Sequence, residues 1–242
     1  MKLLLFDIDG TLVRAGGSGR KALNQAAYRL FGKREVCSEF NLAGRTDLWN
    51  FREAARLALG RRPSPAQTAA LRREYLRRLP YYVRKACRER TYVLPRGIRG
   101  LLRRLSREPE VLLGLGTGNL EEGARLKLGP SGFNRYFAFG GFGSDALDRA
   151  AILRRGVRRE RALLNGNARG LEVFVIVDTP HDVSAGRRAG YKTIAVGTGY
   201  AAWKDLIASR PGHLARDFRG INSWLRRFGI KTRSSARPRR RR

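Results

Sequence analysis

With 242 residues and 42% hydrophobic side chains, the chain is long enough to bury a full core and too apolar to be largely disordered. Its two cysteines, Cys37 and Cys87, have neither metal-ligand nor redox spacing, which argues against a disulfide framework, and no apolar run approaches the ~18 residues of a membrane span. The 51 basic residues against 20 acidic ones give a net charge of +31, a field that attracts polyanions but that 43 arginines against 8 lysines also explain as compositional bias.

The chain enters directly on Lys2 to Phe6, an apolar run suited to a strand buried on both faces rather than a signal peptide, so a reduced, cytoplasmic protein is expected. From about Arg14 to Tyr92 the pattern turns helical, with no convincing strand. Ala22, Ala26, Leu30 and Phe31 mark one helix, Leu48, Phe51, Ala55 and Leu59 a second, and Ala66 to Tyr82 a third, with Pro63 and Pro65 between the last two. A helix over Gly97 to Ser106 then precedes a second apolar run, Val111 to Leu115, followed by a helix over Leu120 to Leu128. A short strand is predicted at Tyr136 to Phe139, a helix from Ala146 to about Arg161, and strands at Val173 to Val177 and Lys192 to Val196 around a helix starting near His181. Strands alternating with helices predict an α/β fold, a Rossmann-like doubly wound parallel sheet. Residues 1–13 and 93–230 would form this core, residues 14–92 an inserted all-helical cap, and residues 231–242 a disordered tail with seven positive charges and no negative one.

Three polar clusters each follow an apolar strand: Asp7-Ile8-Asp9-Gly10-Thr11, Thr117-Gly118-Asn119 and Asp178-Thr179-Pro180-His181-Asp182. Any one alone reads as a strand-end turn. Three in succession predict convergence at the carboxyl edge of the sheet, where open α/β folds bind ligands.

Leu5 to Leu12 resembles the first motif of the haloacid dehalogenase-like superfamily, Thr117 its second, and Asp178 with Asp182 its fourth; the likeness covers nearly all of the chain except the tail. The helical insertion is similar to the cap of the phosphoglycolate phosphatase and β-phosphoglucomutase branch. The resemblance implies a phosphatase in which Asp7 attacks phosphorus and forms an aspartyl-phosphate, while Asp9 protonates the leaving alcohol and then deprotonates water. It implies Mg²⁺ held by Asp7, the backbone carbonyl of Asp9 and Asp178, with Asp182 behind or replacing a water. Thr117, Gly118 and Asn119 would hold the phosphoryl oxygens. Arg45, in Gly44-Arg45-Thr46-Asp47 of the cap, would touch a small phosphorylated metabolite.

The third motif, a lysine or arginine that offsets phosphate charge, has no Lys-Pro signature here. Lys127 is the preferred candidate, because Lys-Leu at this distance from Thr-Gly-Asn is found in resembling sequences, and Arg149 is its rival. Val177 stands where the family commonly has glycine and could crowd the metal loop. His181 reads as the start of a helix, and the arginine-interspersed Tyr75, Tyr81, Tyr82 and Tyr92 as helix packing rather than base stacking. Gly114 to Gly118 does not have the spacing of a dinucleotide fingerprint. Two alternatives remain open: a phosphomutase using the same intermediate, and a nucleic-acid-binding protein on a retained fold, attracting polyanions through its basic surface and tail.

Overall fold

The computed structural model describes residues 1–163 and 170–231, so the basic tail beyond Lys231 lies outside the described residues. The elements in chain order are β1 (Lys2–Phe6), β2 (Arg14–Ala15), α1 (Ser18–Phe31), α2 (Asp47–Leu59), α3 (Pro65–Arg88), β3 (Tyr92–Val93), α4 (Ile98–Leu105), β4 (Val111–Gly116), α5 (Glu121–Leu128), β5 (Phe139–Gly141), α6 (Arg149–Leu163), β6 (Glu172–Val177), α7 (Pro180–Arg188), β7 (Lys192–Val196), α8 (Trp203–Ala208), β8 (His213–Ala215) and α9 (Ile221–Arg227). Six strands form one parallel sheet in the order β5-β4-β1-β6-β7-β8.

Alternate residues of the strands supply opposite faces, the period-2 rule of extended chain. Leu4, Phe6, Leu113, Leu115, Ile176 and Val196 pack with Leu101 and Leu105 of α4, Trp224 of α9 and Phe228 just after it. Leu3, Leu5, Val173, Val175 and Val177 pack on the other side with Leu153 of α6, Val183 of α7 and Leu206 of α8. Both faces are covered, which is why these strands read as continuous apolar runs.

Helices α1, α2 and α3 bury a core of their own, centred on Leu23, Phe51, Leu71, Tyr75 and Leu79. Helix α3 opens on a capping box, Ser64 with Gln67, and carries Pro65 in its first turn, where the missing N–H costs nothing. It runs past the predicted end at Tyr82 and through Pro80, because Val83 and Ala86 continue its buried stripe. At the foot of the insertion β2 pairs antiparallel with β3, Arg14 opposite Val93 and Ala15 opposite Tyr92. Two-residue strands are too short to show a period, which explains why 14–92 reads as wholly helical. The predicted strand at Tyr136 to Phe139 also moves: Phe133–Tyr136 is a 3₁₀ turn, and the strand is Phe139–Gly141. A side chain at Gly141 would lie 2.1 Å from the Ile152 carbonyl oxygen, so close packing of α6 selects glycine where a hydrophobic count finds nothing. Among the described residues no helix is long and apolar enough to cross a membrane.

Candidate active site

Strand β1 sits at the reversal of strand order, with β4 on one side and β6 on the other. Phe6 is level with Leu115 and with Ile176. The residues that follow therefore leave the sheet together, and Asp7, Thr117 and Asp178 emerge around one crevice. The Asp7 N–H still donates to the Ile176 carbonyl at 3.0 Å, and the Thr117 N–H to Gly141 at 3.0 Å.

Asp7, Asp178 and Asp182 are all buried and can each offer one oxygen within 4.8 Å of the others. Arg149 from the start of α6 lies among them, its Nη2 2.9 Å from Asp7 Oδ1 and its Nε 2.7 Å from Asp182 Oδ1. Burial pushes the Asp7 carboxyl up, against the pull of Arg149. Burial and the neighbouring Asp7 and Asp182 push Asp178 well above the ordinary range, although Thr11 Oγ1 donates to it at 3.2 Å. Burial opposes the Arg149 charge, but the two carboxylates outweigh it and its pKa rises. Asp182 is further tied by Thr179, which caps α7: Thr179 Oγ1 donates to Asp182 Oδ2 at 2.5 Å and accepts its N–H at 3.2 Å. The Asp178 carboxylate is hemmed in by backbone. A methyl at Gly10, which holds φ +83°, would lie 2.2 Å from Asp178 Oδ2, and one at Gly199 would lie 1.7 Å away.

Asp9 lines the same cavity as Asp7 but is more open, with 42% of its side chain exposed. Lys127, on α5, donates from Nζ to Asp9 Oδ2 at 2.6 Å and to Asn119 Oδ1 at 2.6 Å. Asn119 Nδ2 donates in turn to Asp9 Oδ2 at 2.9 Å and to Thr117 Oγ1 at 2.8 Å. Burial works against the Lys127 ammonium, yet Asp9 and Asp47 together raise its pKa.

The insertion closes over these groups through residues 44–47. Gly44 lies against Thr179 and His181, and the Arg45 carbonyl oxygen comes so close to Gly118 that a side chain there would lie 2.4 Å from it. The Asp47 N–H donates to Gly118 O at 2.7 Å, and Asp47 Oδ2 accepts the Leu120 N–H at 2.9 Å. Between core and insertion lies a cavity of about 440 Å³ whose walls include Asp7, Asp9, Gly118, Asn119, Lys127, Arg149, Asp178 and Arg45.

Most of the residues singled out by sequence thus meet in one place. Thr117 and Asp182 do not line the cavity; they stand behind it, holding Asn119 and Arg149. Arg45 lines the cavity with its guanidinium stacked over Trp49, 4.5 Å from the ring centre. Lys127 and Arg149 do not compete for one position, since each serves a different carboxylate. Val177 packs into the core beneath α7 and is not on the cavity wall. His181 is exposed on the first turn of α7, and burial of part of its ring lowers its pKa. Ser18, Asn50, Tyr75 and Tyr200 also line the cavity and carry no motif, and so does Asp47, the last residue of the Gly44-Arg45-Thr46-Asp47 stretch. Asp47 alone had a signal, as the first helical residue after the capping Thr46 and two residues from Arg45.

Solved structures share this architecture at low sequence identity. A predicted phosphoglycolate phosphatase from Haemophilus somnus 129pt is 18% identical with a TM-score of 0.69, over 93% of this chain and 98% of that one. A predicted phosphatase from Clostridium acetobutylicum is 15% identical with a TM-score of 0.65, over 93% and 97%. A candidate β-phosphoglucomutase from Bacteroides vulgatus is 18% identical with a TM-score of 0.65, over 95% and 89%. A search of curated proteins gives no significant match. The strand-end clusters and the crevice they share are what the sequence itself reports at family level: residues 1–190 match the haloacid dehalogenase-like hydrolase family, and the chain belongs to it.

Proposed function

We propose that this hydrolase is a Mg²⁺-dependent phosphatase of small phosphate monoesters, with Asp7 as nucleophile and Asp9 as general acid and base. The placement of these two carboxylates supports the reading most strongly. Asp7 is buried at the strand reversal against Arg149, while Asp9, two residues on, faces the same cavity and is steadied by Lys127 and Asn119.

Phosphate monoesters are anionic and repel nucleophiles, so their uncatalysed hydrolysis is extremely slow. In the proposed reaction an Asp7 oxygen bonds to phosphorus as the bond from phosphorus to the alcohol oxygen breaks. Asp9 gives its proton to that oxygen, and the alcohol departs from an aspartyl-phosphate. Asp9 then takes a proton from water, whose oxygen attacks phosphorus and releases inorganic phosphate and Asp7. Arg149 would take the charge-offsetting part expected of the third motif, and Lys127 would hold the acid and base in place. Gly118 would present its backbone N–H to the phosphoryl oxygens, while Asn119, whose N–H donates to Thr117 Oγ1 at 3.3 Å, would hold the loop in shape. Helices α1 to α3 would act as the cap, excluding water and selecting the alcohol.

The donor set suits a divalent cation. Asp7 and Asp178 are desolvated and repel each other, Arg149 is spent on Asp7 and Asp182, and only oxygen ligands are present, as Mg²⁺ requires. Asp7, Asp178 and the Asp9 carbonyl would hold it, with Asp182 behind. When bound, the ion would neutralise like charge between nucleophile and substrate.

Purified protein should release phosphate from p-nitrophenyl phosphate only with Mg²⁺, and Asp7→Asn should abolish the activity. Full activity in that variant would end the nucleophile assignment. Product analysis with a sugar phosphate separates hydrolysis from transfer to a second hydroxyl, the phosphomutase outcome.

A further inference from the structure

We propose that Lys127 and Tyr75 form a subsite, kept open by Gly19, for a neutral carbonyl oxygen on the carbon next to the ester carbon, so that the preferred substrates are phosphate esters of small α-hydroxy ketones and aldehydes. This rests on the phosphatase reading above and deepens it.

The three residues come from different helices, Gly19 from α1, Tyr75 from α3 and Lys127 from α5, and all line the cavity that holds Asp7 and Asp9. A side chain at Gly19 would place its first carbon 3.3 Å from Lys127 Nζ and 3.6 Å from Tyr75 Oη, and no atom from another segment comes nearer. Glycine therefore leaves a gap bordered by both polar atoms, wide enough for one small group. Each of the two has a hydrogen to give. An ammonium has three donors, and Lys127 spends one on Asp9 Oδ2 and one on Asn119 Oδ1, both at 2.6 Å. Among the described residues the Tyr75 hydroxyl has no hydrogen-bond partner, and it is not one of the unpartnered atoms sealed from solvent. Its ring is buried, 5.1 Å from that of Phe51 between centroids, while the hydroxyl end opens on the cavity.

Two donors beside one gap call for an acceptor. A carbonyl oxygen has two lone pairs and no proton of its own, so it can take both hydrogens. A methylene group would cover the donors without pairing them, which is costly, and a hydroxyl would bring one more proton in need of a partner. A carboxylate also accepts, but the Lys127 charge already answers Asp9 and Asp47, and a third carboxylate around one buried ammonium is left uncompensated. The place along the substrate follows from Asp9. Lys127 Nζ holds the carboxylate that would protonate the leaving oxygen, so the gap is within reach of an oxygen on the carbon next to the ester carbon. Sites built to bond a polar group reject analogues that lack it far more strongly than apolar pockets reject a missing methylene.

The test compares hydroxyacetone phosphate, propane-1,2-diol 1-phosphate and n-propyl phosphate, which differ only at the second carbon, with phosphoglycolate as the carboxylate. Calorimetry on Asp7→Asn protein with Mg²⁺ reads their affinities without turnover, and phosphate release by the unsubstituted enzyme reads kcat/KM. Hydroxyacetone phosphate is expected to exceed the other three by about 10-fold or more in each measurement. Tyr75→Phe, which removes one donor and keeps the ring, and Gly19→Ala, which fills the gap with a methyl, should each shrink that ratio toward one. Equal values for the carbonyl and methylene esters, a preference for the diol ester or phosphoglycolate, or a ratio that both variants leave unchanged overturns the subsite. Selective binding without release of phosphate from any ester overturns the phosphatase reading instead.

Discussion

The carboxylate of Asp47 accepts the backbone N–H of Leu120 at 2.9 Å, while its own N–H donates to the carbonyl of Gly118 at 2.7 Å. One residue of the insertion therefore fastens both ends of the loop that follows β4, the loop proposed to receive phosphate.

That fastening should be pH-dependent. Burial pushes the Asp47 carboxyl up to about 6, against the pull of Lys127. In the unfolded chain it titrates near ~3.9, so between about pH 4 and 6 the native state keeps a proton that the unfolded state has lost. This contribution to stability is full below the window and is lost as pH rises through it, by about 2 kcal/mol after discounting for the residue's partial exposure. Asp47→Asn keeps an oxygen for Leu120 and removes the titration. Urea unfolding at pH 4 and pH 7 should show a smaller loss for the variant, and equal losses would refute the assignment.

The two buried cations should separate on stability and activity. Arg149→Met strands Asp7 and Asp182, both buried, and should cost about 3–5 kcal/mol. Lys127→Met leaves Asp9 partly solvated, so stability should fall by less while phosphate release drops on the order of 10²-fold. Denaturant midpoints and kcat for the pair decide it; a larger stability loss in Lys127→Met would reverse the division of labour.

Metal addition should stabilise the protein through the same carboxylates. At a concentration 100 times its Kd, Mg²⁺ should add about 2.7 kcal/mol, visible as a rise in Tm. Asp178→Asn, which removes a charge in contact with Thr11, should abolish most of that rise. An unchanged Mg²⁺ response in the variant would move the ion elsewhere.

How much of this was legible in the sequence follows from the range of the interactions. Strands β1, β4, β6 and β7 announce themselves as apolar runs because both faces are buried, whereas β8, three residues with an exposed His213, does not; Asp7, Thr117 and Asp178 stand out because each directly follows such a run. β5 lies three residues beyond the predicted start at Tyr136 because its glycines answer to the approach of α6, a contact with no local trace. Ser18, Asn50 and Tyr75 look like ordinary helix residues; only the packing of α1, α2 and α3 turns them toward one cavity. The choice between Lys127 and Arg149 could not be made from spacing, since the distance along the chain says nothing of which carboxylate each helix faces.

Gly118→Ala tests how tightly the insertion sits. The added methyl would lie 2.4 Å from the Arg45 carbonyl oxygen, so residues 44–47 must move or the loop must shift. Overpacking of this kind should cost about 1–3 kcal/mol. Thermal melts and KM for p-nitrophenyl phosphate should both worsen; a variant identical to the parent in both would mean that the two segments part freely.

The pairing of Arg14 with Val93 and Ala15 with Tyr92 has a topological corollary. The polypeptide departs from the sheet layer and comes back to it through a single doorway about 5 Å wide, the spacing of neighbouring strands. Excising everything between those two crossings and joining their ends by a short turn would leave each parallel strand with its present neighbours. In genetic terms the helical segment would be a cassette, exchangeable for any other that restores the bonds of Asp47 to Gly118 and Leu120.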